Sequence, residues 1–100
     1  MTTEGVRQST VAGNGPAELE AALRREGLDP FTWSNEPNFH YEPHTHDYHS
    51  VLVCATGSIV FVVDDREVEL RPGDRLDVPA DVVHAATVGP DGVEVVEAIC

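Results

Sequence analysis

The sequence predicts an all-β domain, a closed barrel or jelly roll, preceded by one short helix. Three observations predict it. Fifteen valines occur, nearly all after position 50, and β-branched side chains suit a pleated, half-buried surface better than a helix. From Phe31 onward, short apolar stretches alternate with breaks built of Gly, Pro and Asp, the residues that favour turns for backbone reasons. The length, 100 residues, supports one compact core and no second one.

The elements follow in order. Residues 1–14 are polar and lack a period, which predicts a frayed arm; residues 15–100 form the single domain. Pro16 suits a first helical turn, with Asn14 or Gly15 as cap. Leu19, Ala22, Leu23 and Glu26 repeat at helical spacing and Gly27 is placed to end the element, giving a helix over 16–26 with Leu28 packing back. The barrel spans about 31–99. Its strands are expected near Phe31–Ser34, Phe39–His46, His49–Thr56, Ser58–Val63, Glu67–Leu70, Arg75–Val78, Val83–Val88 and Val93–Ile99. The runs Val51–Ala55 and Ile59–Val63 are apolar on both faces. One face can fill a barrel, and the other then needs a covering surface, which points to a homodimer.

Composition excludes several function classes. Six Lys+Arg, all arginine, against eighteen Asp+Glu give a net charge of −12. That argues against nucleic acid and anionic membranes as partners, because phosphate binding draws on cationic side chains. The longest apolar runs are five residues, and a spanning helix needs about 20. The start, MTTEGVRQST, has no cationic segment followed by an apolar block, so no secretory signal is expected. Two cysteines, Cys54 and Cys100, make no disulfide framework, and a cytoplasmic location is the expectation.

The chemistry concentrates in histidine. Four of the five fall within ten positions, His40, His44, His46 and His49, and the fifth is His84. Residues two apart in a strand leave the same face, so His44 and His46 offer two imidazoles side by side, and imidazole is a common ligand of borderline metals. His49 follows a two-residue turn and can fold back toward the same space. His84 lies on a late strand that barrel closure can bring alongside. A lone pair of this kind is weak evidence, since solvated histidines do nothing; the surrounding pattern decides.

That pattern resembles the cupin superfamily. His44-Thr-His46, Ser50 and Gly57 resemble the first cupin signature, G(x)5HxH(x)3-4E(x)6G. Gly73, Pro79, Asp81 and His84 resemble the second, G(x)5PxG(x)2H(x)3N. The resemblance covers about residues 31–99. It implies a jelly-roll barrel, or double-stranded β-helix, holding a divalent transition metal (Fe, Mn, Zn, Ni, Co or Cu) on His44, His46 and His84. Departures are informative. Ser50 stands where the family places its glutamate ligand, Asn38 and Asp81 where it places glycines, and Val88 where it places asparagine. Asp at 81 accepts the left-handed backbone that Gly supplies. A site without the carboxylate leaves the ion less neutralised and more Lewis-acidic. His49, one residue before the usual ligand, replaces the glutamate if the strand opens with a bulge; strict alternation sends it outward. Both arrangements stand open at this point.

Glu42 shares strand parity with His40, His44 and His46, which makes it a candidate to orient an imidazole or to act as a general base, against the plainer reading of a solvated carboxylate at the barrel mouth. Trp33, Tyr41 and Tyr48 read as packing residues at the rim. Cys54 reads as a small buried hydrophobe and Cys100 as inert. Arg71, Asp74 and Arg75 read as surface ion pairs worth little. Function then divides three ways: a dioxygenase- or isomerase-like metalloenzyme acting on a neutral or weakly acidic small molecule, a non-catalytic metal- or ligand-binding module, or a structural dimer with a vestigial site.

Overall fold

The protein was analysed as a computed structural model that describes residues 5–100. Two long strands organise it. β4 (Ser50–Val63) and β7 (His84–Ile99) lie antiparallel, from Ser50 opposite Ile99 to Val63 opposite His84. Each spans two of the expected strands. The glycines read as chain breaks, Gly57 and Gly92, instead bend the strands: both have positive φ, the register slips beside Gly57, and a Cβ at 57 would collide with the Gly92 carbonyl. Such bulges turn a strand without ending it.

The bend divides the single antiparallel sheet into two leaves. One contains β1 (Arg7–Thr10), β6 (Asp74–Val78), the start of β4, the end of β7 and β2 (Phe31–Asn35), in that order. The other contains β5 (Arg66–Leu70), the end of β4, the start of β7 and β3 (His40–His44). Asp64 and Asp65, both at positive φ, close the β4–β5 hairpin, as a two-residue turn of the I′ kind requires. The frayed arm expected over 1–14 is corrected in part: Arg7–Thr10 pair in register with Asp74–Asp77, because the edge of β6 offers unpaired backbone groups that a neighbouring segment can satisfy. Residues 1–4 lie outside the described part.

Inward side chains of both leaves, among them Cys54, Ile59, Leu70, Leu76, Val88 and Val95, form one apolar core. The outward face of the first leaf has its own cover. Helix α1 (Gly15–Arg25) lays Leu19 and Leu23 on Val51, Val53, Ala55, Val96 and Ala98. The second apolar face of Val51–Ala55 is therefore buried by the chain's own helix, and the expectation that it needs a partner copy loses its basis there. The helix ends as its sequence predicts. Gly27 takes φ +89, Leu28 N–H bonds to Leu23 C=O (3.1 Å) and Gly27 N–H to Arg24 C=O (2.9 Å), the paired bonds of a Schellman close. Arg75 is more than a surface charge: its side chain is 15% exposed and donates to Asp77 and to Glu26, tying the helix end to β6.

Candidate metal and ligand site

At one end of the sandwich the leaves part around a cavity of about 400 Å³. The second leaf supplies histidines. His44 ends β3 directly opposite His84, the first residue of β7, and their ring centroids are 4.4 Å apart. The His46 ring lies 4.8 Å from that of His44 and 5.3 Å from that of His84. One nitrogen from each ring falls within 4.8 Å of the others. His84 is buried; the other two are half-buried.

The backbone explains the convergence. Asp81, where the cupin pattern has glycine, takes φ +65, and so does Asn38 in the first pattern; both residues tolerate this conformation. The turn at Asp81 lets its N–H bond to the carbonyl of His46 (2.8 Å), which holds the segment after β3 beside the entry to β7. Asn38 N–H bonds to Val88 C=O (3.2 Å) and anchors the start of β3 on the same strand. Ring orientation is fixed as well. His44 Nδ1 contacts the Glu42 carbonyl (2.7 Å) and His84 Nδ1 the Val82 carbonyl (3.0 Å). A carbonyl only accepts, so each Nδ1 carries hydrogen, and in the neutral ring the lone pair is then on Nε2. His46 stacks on Tyr48, 4.7 Å between centroids. Burial pushes the His84 imidazolium pKa below its ordinary value, which favours the neutral, metal-competent ring.

Other predicted residues lie elsewhere. His49 is not brought to the group. Ser50 faces the cavity, so alternation turns His49 outward, where Nε2 lies 3.7 Å from Asp77. His40 and Glu42 also leave the cavity. The β3–β7 register shifts between Tyr41 and His44, so Tyr41 and His44 both line the cavity while His40 and Glu42 bond to each other outside (3.2 Å). Glu42 acts on the site through its backbone carbonyl, and its side chain, 83% exposed, is no acid or base for the interior. Cys54 sits in the core with burial raising its thiol pKa to about 11, the behaviour of an inert hydrophobe.

The sequence reading missed Glu97. It lies on β7 opposite Leu52 and Phe31 and lines the cavity. Its carboxylate accepts from Trp33 Nε1 (2.8 Å), and the Ser50 hydroxyl stands beside it. Burial pushes its pKa up, and the bond from Trp33, with His46 and Ser50 nearby, pulls it part of the way back. Glu97 shares parity with Val93 and Val95, both inward. Val96 and Ala98 make the opposite face of the strand apolar as well, so its inward parity is known only from the fold.

Residues 32–95 match the family described as the AraC-like ligand binding domain. The chain belongs to that family, within the cupin superfamily. Over 43 residues this cupin is 42% identical to Quercetin 2,3-dioxygenase of Bacillus subtilis (strain 168), covering 42% of this chain and 13% of that protein; it thus spans a small part of that relative. Among solved structures it resembles a cupin superfamily protein from Desulfitobacterium hafniense DCB-2, with TM-score 0.65, 17% identity, and 99% of this chain matched to 80% of that one. It also resembles YcfD, a ribosomal oxygenase from Escherichia coli, with TM-score 0.68, 21% identity and coverage of 84% and 27%. At these identities the structures show the fold, a mostly antiparallel β-sandwich with one short helix.

Proposed function

We propose that this cupin binds a divalent transition metal on His44, His46 and His84 and presents it to a small molecule in the adjoining cavity. The observation that carries the reading is the convergence of three imidazoles from two distant segments, with nitrogens within 4.8 Å. Ligands of one tetrahedral ion at about 2.1 Å lie about 3.4 Å apart, a distance small ring rotations reach. The donor set fits. Two Nδ1 atoms are engaged by carbonyls, which leaves Nε2 as the donor and supplies the outer hydrogen bonds that orient metal-binding histidines. When bound, such an ion supplies Lewis-acid polarisation of a ligand oxygen. The protein's own part is to orient the rings and to surround the ligand with apolar walls.

A dioxygenase- or isomerase-like activity on a neutral or weakly acidic molecule is the enzymatic form of this proposal, supported by the local likeness to Quercetin 2,3-dioxygenase. The family's description, a ligand binding domain, favours a second reading in which binding is the whole function. A cytoplasmic location is a further proposal, testable by fractionation, and so is a homodimer through the half-buried outward face of Val60 and Val62, testable by light scattering. The deciding experiment is elemental analysis of protein purified without an affinity tag, beside the His44→Ala/His46→Ala variant. The proposal expects near-stoichiometric metal in the first and background in the second; equal background in both rejects it.

A further inference from the structure

The cavity's second wall carries a group that no metal reading uses. Glu97 is a carboxylate set among Trp33, Tyr41, Tyr48, Ser50 and Leu52, and no arginine lines the cavity among the described residues. Half-burying a carboxylate without a cation opposes folding; Glu97 satisfies the Trp33 indole N–H, a task that a neutral acceptor would perform at lower cost. Its location is specific. Ser50 pairs with Ile99 and Leu52 with Glu97, which makes Ser50 and Glu97 diagonal neighbours within side-chain reach. The carboxylate missing at position 50 is thus supplied one strand across, displaced from the histidines: the metal-spaced group of described residues holds His44, His46 and His84 and not Glu97.

We propose that Glu97 anchors the ligand: its carboxylate accepts a hydrogen bond from a hydroxyl or N–H of a neutral, ring-bearing molecule that lies against Trp33, Tyr41 and Tyr48 and faces the histidines. This rests on reading the cavity as a ligand site. A carboxylate has about four acceptor positions; Trp33 occupies one, and the others serve the cavity. The aromatic rings supply flat contact surface, and about 400 Å³ lies within the range of small-molecule pockets. Charge narrows the class further. Glu97 and a net charge of −12 turn anions away, while the histidine cluster, with any cation it holds, disfavours a cationic ligand on the other side.

The test uses metal-free protein in chelator and three probes of one shape: 2-naphthol, 2-methoxynaphthalene and 2-naphthoate, titrated by calorimetry. Wild type should prefer 2-naphthol over the other two by about tenfold, the scale of a hydrogen bond to a charged acceptor. Glu97→Gln, nearly isosteric and still able to accept from Trp33, should lose most of the hydroxyl-over-methoxy preference and bind 2-naphthoate about tenfold better relative to 2-naphthol. Unchanged ratios in that variant, or no binding of 2-naphthol by wild type, overturn the assignment. A tenfold loss of cobalt(II) affinity in Glu97→Gln also overturns it, because Glu97 would then be a metal ligand. Failure of wild type to take up cobalt(II) with the naphthol ratios intact sinks the metal proposal and leaves this one standing. Should Glu97→Gln fail to fold, Glu97→Asp withdraws the carboxylate by one methylene and should lose most of the hydroxyl-over-methoxy preference; an unchanged ratio there counts against the anchor.

Discussion

The inward residues of the two long strands differ between the ends and the middle. In the middle, Cys54, Ile59, Val88, Val93 and Val95 are sealed into the core. Toward the ends, Ser50, Leu52 and Phe61 of β4, and His84, Ala86, Glu97 and Ile99 of β7, line the cavity. The same alternation thus builds two environments, and position along the strand decides which. In the middle a side chain contributes by apolar area removed from water and by close packing. At the ends three polar side chains, Ser50, His84 and Glu97, stand among the apolar ones, which is the pattern of a site rather than of a core.

The comparison breaks most sharply at His84. The variant His84→Ala should lose metal by more than the roughly 10–100-fold that outer hydrogen-bond partners are worth, while the metal-free protein keeps a cooperative melt. Calorimetric titration with cobalt(II), beside a denaturant melt, reads both; affinity within threefold of wild type would remove His84 from the site. The converse holds in the middle. Ile59 of β4 is fully buried, and Ile59→Ala should cost about 2–5 kcal/mol of stability with metal uptake per folded molecule unchanged. A loss of metal stoichiometry in the folded fraction would show that core and cavity are not separable.

The two regions were unequally legible in the sequence. The core was readable because short apolar, β-branched runs are a local property, visible from Val51 to Val63. The helix was readable from Pro16, the Leu19/Leu23 spacing and Gly27. What escaped was any feature set by a break in that period. Glycines 57 and 92 bend continuous strands, and sequence gives no local sign distinguishing a bend from a chain reversal. The register slip between Tyr41 and His44 moved His40 and Glu42 to the outside, although simple parity puts them within. His44, His46 and His84 were legible because they sit in a spaced pattern, whereas Glu97 lies in no motif and emerges only when its strand's inward parity is known.

Gly57 joins the two regions, since the bend there lets the strands be core in the middle and cavity at the ends. Gly57→Ala adds a Cβ at φ +73 against the Gly92 carbonyl. Strain of about 1–3 kcal/mol is expected, lowering the melting temperature. The cavity should loosen with it, so metal affinity falls as well. A stability loss with unchanged affinity would mean that the bend supports the fold alone.

The smallest effect is in pH, and there the two polar ends oppose each other. In metal-free protein, burial lowers the pKa of His84 from its ordinary 6.5 and raises that of Glu97 from its ordinary 4.5. For His84 the unfolded chain binds the proton more readily. Its contribution is therefore complete above pH 6.5 and is lost as pH falls through the native value. For Glu97 the native state binds the proton more readily, so its contribution is complete below pH 4.5 and is lost as pH rises through the native value. Two variants separate the slopes. Relative to wild type, His84→Gln should gain stability as pH drops below 6.5, and Glu97→Gln should gain as pH rises above 4.5. Urea melts in chelator between pH 4.5 and 8 measure both differences. Curves that run parallel to wild type for both variants would mean that neither end of the strands is dry enough to tell a charged side chain from a neutral one.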